Sequence, residues 1–336
     1  MAITTTATLT KVVQDLYNAD ATRAFTARGV FWHALSPEHI RQVITGPGGV
    51  GQGDVVKIDV WGAATAATTP LGETSDGTAD TQAVTQVDVT LQEHGKFVQT
   101  SGKLRATAYG PLEKQAAWRM GDVAIRTLDL LARVALDAQT GATWVGYGSG
   151  GTTNATSVST ITKGNTLNGD DFRAAASILD ANNVPPFPDG YYRAFIHPHV
   201  FKDLKSESDV HQSFTAAANY AGTNLDPIRN ERGIFEGFRI ITTSACNVQA
   251  DAGATVAAGT SADVYTSYFV GPDSLAMGRH GNVPSIRLGM PKVRPGSDAY
   301  GRYQTIGWYG LLGFAALQDD ATYKIYSSSS MDTAAT

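Results

Sequence analysis

The sequence predicts an α+β fold in which a projecting β-hairpin stands beside one long helix. Two strands of alternating apolar and polar residues flank residues 62–83, which are rich in Thr, Ala, Gly and Asp. A long amphipathic pattern follows at 112–137, and the second half of the chain mixes short helical and strand patterns. Because an isolated two-stranded hairpin is only marginally stable in water, this arrangement indicates a subunit that depends on its neighbours.

The region before the hairpin predicts an extended arm. Its aromatic residues Phe25, Phe31 and Trp32 have no adjacent element to pack against, so we expect them to lie across another surface. A short helix is expected over residues 37–43. The glycines at 46–53 formally match a dinucleotide-binding fingerprint, but that fingerprint needs a preceding strand and a following helix. Here the predicted order is reversed, so we interpret this stretch as an elbow.

The two hairpin strands alternate strictly, which is typical of strands with one covered face. The insertion between them is longer than the loops of most compact domains, and such insertions are usually functional or disordered. We therefore expect the hairpin to rest on another chain. The apolar face comprises Val56, Ile58, Val60, Val87, Val89 and Leu91, and the tip carries Thr69, Glu73 and Asp76.

The helix predicted over 112–137 has apolar residues at i, i+3 and i+4 positions, and Pro111 suits its start. A second helix is expected through residue 179, with Asp170 as its N-cap. Strands are expected at 191–196, 238–242 and 265–270, and short helical stretches at 200–205 and 272–276. Residues 300–326 are again strand-like, and the tail from 327 onward is expected to fray.

Composition excludes several classes of function. The formal net charge is −5 with a sequence pI of about 5.8, and no run of Lys and Arg occurs, which argues against tight non-specific DNA binding. A single cysteine, Cys246, excludes an intramolecular disulfide and a Cys-rich metal site. Neither a signal peptide nor an apolar run long enough to cross a bilayer is present, so we expect a soluble protein made in a cytosol.

Candidate catalytic and metal-binding patterns are weak. His197-Pro198-His199 lacks a carboxylate at a metal-ligand spacing, and the pairs Asp170-Asp171 and Asp319-Asp320 are better explained by capping and a turn. Neither a nucleophile elbow nor a Walker A sequence occurs. We therefore expect no catalytic, cofactor-binding or metal site, no cofactor, and no enzymatic activity.

Two blocks in the second half carry a resemblance. They are YYRAFIHPHVFKDL at 191–204 and GIFEGFRIITT at 233–243. Together they resemble the tailed-bacteriophage major capsid proteins of the family named after the phage N4 major capsid protein. The order of arm, hairpin, long helix, mixed unit and closing strands is similar to the HK97-like capsid fold.

The resemblance implies a domain division and a set of partners. The implied parts are an N-terminal arm at 1–53, an E-loop hairpin at 54–104, a peripheral domain at 105–164 with its spine helix at 112–137, an axial domain at 165–285, and C-terminal strands completing the peripheral domain at 286–336. The subunit would assemble with itself into pentamers and hexamers around double-stranded DNA, without sequence-specific or membrane binding. Decoration, scaffolding and portal proteins are possible partners.

By the same resemblance, the protein is made in a host bacterial cytoplasm and resides in the virion. The hairpin's apolar face would then contact an adjacent copy of the same protein, as would the arm. The alternative is a soluble enzyme or ligand-binding protein built on residues 165–290. A third possibility is another virion component, such as a tail or decoration protein.

Overall fold

The computed structural model describes residues 29–31, 35, 41–45, 55–62, 81, 83–108, 112–139, 145–150, 155–212, 230–257, 260–280, 287–293 and 302–331. Four α-helices have both ends within this part of the chain: α1 (Gly102–Thr107), α2 (Leu112–Asp137), α3 (Gly169–Ala181) and α4 (Pro198–Ser206). The strands are β1 (Arg41–Thr45), β2 (Val55–Trp61), β3 (Val84–Thr90), β4 (Gln92–Ser101), β5 (Val145–Tyr147), β6 (Tyr192–Ile196), β7 (Glu231–Phe235), β8 (Phe238–Thr242), β9 (Val248–Gln249), β10 (Thr255–Ala257), β11 (Thr260–Ser261), β12 (Val264–Val270), β13 (Leu275–His280), β14 (Arg287–Val293), β15 (Tyr303–Ala316) and β16 (Thr322–Ser327).

The first sheet has the strand order β1–β13–β15–β14, and β4 pairs with the N-terminal part of β15. Strand β1 runs parallel to β13, and the other pairs are antiparallel. Helix α2 covers one face of this sheet, where Ile306 and Trp308 are buried against Met120 and Ala124. The apolar stripe of α2 recurs at every third or fourth residue, so one side of the helix faces the sheet.

The second sheet has the order β5–β16–β12–β6–β8–β7, with β9 also paired to β12. Helices α3 and α4 pack on one face through residues such as Phe172 and Leu204. The C-terminal half of α2 packs on the other face, where Leu128 joins the cluster that holds Phe195 and Tyr268. All seven residues of β12 are buried, as expected for a strand with both faces covered.

Several local predictions are confirmed. Helix α2 has the predicted bounds, and β6, β8 and β12 lie where strands were expected. The N-cap of α3 is Asn168 rather than Asp170. The Asn168 side chain accepts a hydrogen bond from the Asp171 N–H (3.1 Å), and the Asp171 carboxylate accepts one from the Asn168 N–H (3.0 Å). This reciprocal capping box satisfies two backbone donors at once, which Asp170 alone would not do.

Three other local predictions are wrong. Residues 41–45 form β1 instead of ending a helix, because they pair with β13, and residues 37–40 lie outside the described part. A strand, not a helix, begins at Leu275, which pairs with Ala316. The tail is ordered through Met331, since the Asp203 carboxylate accepts hydrogen bonds from the Ser329 hydroxyl (2.8 Å) and the Ser330 N–H (2.6 Å).

Sheet membership also differs from the predicted domain division. Strand β13 lies in the range assigned to the axial domain but belongs to the first sheet with β15. Strand β16 lies in the C-terminal range but belongs to the second sheet, between β5 and β12. The chain therefore passes between the sheets after β12 and again after β15, and each sheet takes strands from both halves of the sequence.

Candidate intersubunit surface

Strands β2 and β3 form an antiparallel hairpin whose inner face lies on the first sheet. The register pairs Val56 with Val89 and Ile58 with Val87. Val56, Ile58 and Val89 are each at most 3% exposed, and they pack with Leu91, Ala276 and Leu317. The hairpin thus covers the face of β13 and β15 that α2 leaves open, and the sheet is held between the helix and the hairpin.

This packing corrects the expectation that the apolar face meets an adjacent copy. Val56, Ile58, Val89 and Leu91 are buried in the core of their own chain. Val60 and Val87 are partly buried and pack against the same cluster. This contact could not be read from the sequence, because the covering residues Ala276 and Leu317 lie more than 180 positions later in the chain and have no local link to the hairpin. Contacts of Thr69, Glu73 and Asp76 in the tip lie outside the described residues.

The outer face of the hairpin carries a polar ladder with apolar residues at both of its ends, Val55 near the sheet and Trp61 with Val84 farther out. Lys57 Nζ donates a hydrogen bond to Gln86 Oε1 (3.3 Å), and Gln86 Nε2 donates one to Asp59 Oδ1 (3.0 Å). Beyond this ladder, Trp61 pairs with Val84 across the strands. The two side chains are 62% and 46% exposed. Such a pair at the end of a polar ladder could have been found in the sequence, because both residues interrupt the polar half of the alternation.

The arm residue Phe31 is also an internal residue. Its ring stacks on Phe195 with centroids 4.4 Å apart and meets Tyr268 edge-on at 6.0 Å. The preceding Val30 N–H donates a hydrogen bond to Asp129 Oδ2 on α2 (2.9 Å). Phe31 is fully buried, so the expectation that it contacts another subunit is wrong. Phe25 and Trp32, the other two predicted arm contacts, lie outside the described residues.

The histidine pair at the start of α4 has a structural role. His197 Nδ1 accepts a hydrogen bond from the His199 N–H (3.3 Å), which caps the helix, and both rings lie beside Tyr265. Burial, together with the nearby His199, lowers the pKa of His197 to about 4. Within the described ranges, no three His, Cys, Asp or Glu side chains converge as a metal site would require.

A buried polar cluster joins the end of α2 to the second sheet. The Tyr268 hydroxyl donates a hydrogen bond to Asp137 Oδ1 (2.6 Å). Lys324 Nζ donates to the backbone oxygens of Asp137 (3.1 Å) and Gln139. Burial raises the pKa of Asp137 and lowers that of Lys324. The Lys324 ammonium therefore caps the negative end of the helix dipole in the interior.

A second ionic network crosses β6, β7 and β8. Asp189 Oδ2 lies 2.7 Å from both Arg193 Nη2 and Arg239 Nη1, and Arg239 Nε donates to Glu231 Oε1 (2.9 Å). Burial acts to raise the pKa of Asp189, but the two arginines outweigh it and the pKa is lowered. Both guanidinium groups are buried, so the network fixes the loop before β6 to the strands beside it.

The hydropathy of the helices and the burial of the single cysteine bear on which functional sites this protein offers. No helix in the described part of the chain is long and apolar enough to cross a membrane. Cys246 is buried, and burial raises the pKa of its thiol, which disfavours the reactive thiolate. The polar clusters hold helices, strands and turns together through the hydrogen bonds and ion pairs given above. The exposed outer face of the hairpin, with Trp61 and Val84 at its end, is therefore a candidate for a functional surface.

Several solved structures with a similar fold are phage capsids. The capsid of Ralstonia phage GP4 matches with a TM-score of 0.67 and 17% identity, covering 88% of each chain. The capsid of cyanophage Pam1 matches with a TM-score of 0.60 and 15% identity, covering 90% of this chain and 94% of that one. The capsid of Helicobacter pylori bacteriophage KHP30 has a TM-score of 0.56 at 11% identity, covering 86% and 88%. No curated protein matches.

These likenesses define the class: an α+β protein with the HK97-like capsid fold, as predicted. The family model described as "Phage capsid protein" matches residues 134–322, more than half of the chain. The chain therefore belongs to the phage capsid protein family. It is a major capsid protein that forms the shell of a tailed phage.

Proposed function

We propose that this subunit builds an icosahedral shell from pentamers and hexamers around double-stranded DNA, in the manner of the phage N4 capsid proteins that it resembles. The formal net charge of −5 supports a shell whose wall encloses DNA without gripping phosphates. Synthesis in the host bacterial cytoplasm belongs to the same proposal. So do decoration, scaffolding and portal proteins as further partners.

The domain roles follow the two sheets. Residues 1–53 act as the N-terminal arm and residues 54–104 contain the E-loop. The peripheral domain comprises α2 with the first sheet, and therefore includes β13. The axial domain comprises the second sheet with α3 and α4, and therefore includes β16. The pairing of β13 with β15, and of β16 with β12, supports this revision of the boundaries.

The neighbouring subunit is contacted through the outer face of the hairpin, and the Trp61–Val84 pair is the centre of that contact. The observation that carries this proposal is exposure on one face together with burial on the other. Val56 and Val89 are already covered by their own chain, whereas Trp61 is 62% exposed at the end of a polar ladder. Tryptophan is the residue type most enriched at the energetic centres of protein interfaces.

The first experiment measures particle size. A particle of MDa mass by light scattering, with a closed outline in negative stain, is expected. A stable monomer or dimer with one bound small molecule would instead support an enzyme or ligand-binding protein, and tubes or trimers would support a tail or decoration protein. Trp61→Ser is expected to raise the subunit concentration at which shells form.

The second experiment maps the contact by thiol labelling. Val84→Cys is expected to react with a maleimide in dissociated subunits and to be protected in assembled shells. Ile58→Cys, on the buried inner face, is the matched control and should stay unreactive in both states. Cys246 is only 3% exposed, so it adds little background. Equal labelling rates of Val84→Cys in shells and in free subunits would contradict the proposed contact.

A further inference from the structure

Two glycines face each other where the hairpin meets the first sheet. Gly278 on β13 and Gly313 on β15 are direct partners in the strand register. A Cβ atom added at Gly278 would lie 2.9 Å from Leu91 Cδ2 and 3.0 Å from Val89 Cγ1. One added at Gly313 would meet the backbone carbonyl oxygen of Thr90 and lie 2.9 Å from its carbonyl carbon. The hairpin therefore approaches this point to within backbone contact of the sheet.

The residues next to the glycine pair on this face of the sheet have small side chains. Ala276 and Ala315, the next partners on the same face, also belong to the cluster beneath the hairpin. On the opposite face, Met277 and Leu312 pack with the core cluster that includes α2. Since side chains alternate between the faces of a strand, the positions next to the glycine pair place large residues toward the helix and small ones toward the hairpin.

Strand preference does not explain glycine at these positions. Glycine in a strand interior weakens the strand, because it contributes no side chain to packing and loses much backbone entropy on folding. Glycine is instead expected where another backbone comes close. At Gly313 the neighbour is the backbone of Thr90, which cannot turn aside as a flexible side chain could.

We propose that the Gly278–Gly313 pair is the seat that fixes the direction in which the hairpin leaves the sheet. It thereby sets where the outer face meets a neighbouring subunit. The seat lies at the root of the hairpin, and Val84 is about 20 Å farther along β3 at ~3.3 Å per residue. A small displacement at Thr90 is therefore magnified at the contact. This inference rests on the proposed contact of the outer face with a second copy.

The test compares one added methyl group at two buried glycines. Gly313→Ala forces the backbone at Thr90 to move. Gly169→Ala is the matched control, because its Cβ would lie 3.4 Å from Phe235 Cζ, an ordinary contact. The direction of the hairpin is read as the distance between spin labels at Val84→Cys and Arg119→Cys, the latter on the exposed side of α2. Assembly is read as the subunit concentration at which shells form.

Gly313→Ala is expected to change the label distance and to raise the assembly concentration about tenfold or more, which is 1.4 kcal/mol or more per mole of subunits. Gly169→Ala should change neither. A folded Gly313→Ala protein with the wild-type distance and assembly concentration overturns the proposal. So does a protein that melts at a lower temperature yet assembles normally, because the glycine would then serve stability alone.

If Gly313→Ala does not fold, Gly278→Ala replaces it, since its added Cβ would meet only side chains. Val89→Ala removes one of these and should restore assembly to Gly278→Ala in the double variant. No restoration overturns the proposal. The outcomes separate the role of the glycine pair from the proposed function. Val84→Cys that reacts freely in shells with both glycines intact contradicts the contact. Normal shells from Gly313→Ala, with Val84→Cys protected, contradict only the seat.

Discussion

The hydrogen bond between Tyr268 and Asp137 is expected to be a principal link between α2 and the second sheet. Tyr268 is fully buried, and its hydroxyl donates to Asp137 Oδ1 at 2.6 Å. Tyr268→Phe keeps the ring and removes only this donor. Hydrogen bonds to charged groups contribute about 1.5–3 kcal/mol, and the carboxylate loses a partner inside the protein. We expect the free energy of unfolding to fall by about 1.5–3 kcal/mol.

The matched control is Tyr309→Phe. The Tyr309 hydroxyl also donates to a carboxylate, Glu93 Oε1, at 2.9 Å, but this pair is exposed. Water replaces the lost donor there, so a change within about 0.5 kcal/mol is expected. Both variants are compared by urea denaturation of dissociated subunits, at concentrations below those that form shells, because assembly would add its own stabilisation.

The pH dependence supplies an independent check on the same bond. Burial raises the pKa of Asp137, and the Tyr268 hydrogen bond opposes that rise. Protonation of Asp137 removes the charge that strengthens the bond, so the wild type and Tyr268→Phe should differ less in stability as the pH falls through this raised pKa. Equal losses in Tyr268→Phe and Tyr309→Phe, or a difference that widens on acidification, would refute the reasoning.

Two further predictions concern the second sheet. Arg239→Met removes the buried partner of Glu231 and leaves Asp189 with Arg193 alone, so it is expected to lower the free energy of unfolding by about 3–5 kcal/mol. Arg173→Met removes a cation from an exposed set with Asp170 and Glu236 and should cost far less in the same denaturation assay. A similar cost in both would contradict the role of burial. His197 is kept neutral in the folded state because its pKa is about 4, whereas in the unfolded chain it takes up a proton below pH ~6.5. Wild-type stability should therefore decrease as the pH is lowered from about 6.5 to about 4. His197→Asn keeps an acceptor for the helix cap and should flatten that slope; an unchanged slope would exclude His197 as its source.

Elements with strong local signals were predictable from the sequence. Helix α2 carries an apolar stripe over seven turns, and β2 and β3 alternate strictly, so their positions follow from periodicity. The prediction of a helix at 272–276 failed because Pro272 and Asp273 are residue types that commonly begin a helix. The strand forms instead because Leu275 gains a partner at Ala316, more than forty residues away, and such pairings override local preference.

The candidate surface was predictable only in part, because the hairpin was located correctly and its contacting face was not. The hairpin was identified correctly as an element, but the face assigned to the neighbour was the apolar one. An alternating strand indicates that one face is covered without indicating what covers it. In this chain the cover combines Leu311 and Leu317 with small residues of β13 and β15, and those small residues carry little hydrophobic signal of their own.

The correction changes what the hairpin must do during assembly. A hairpin covered only by its neighbours would be unstable in the free subunit and would gain order on binding. Here the root of the hairpin is held by a buried cluster and a glycine pair, so the direction of the hairpin is set before a neighbour arrives. A binding element that is already ordered loses less conformational entropy on association. Weak contacts repeated over many subunits then suffice to close a shell, provided that each hairpin leaves its sheet at the same angle.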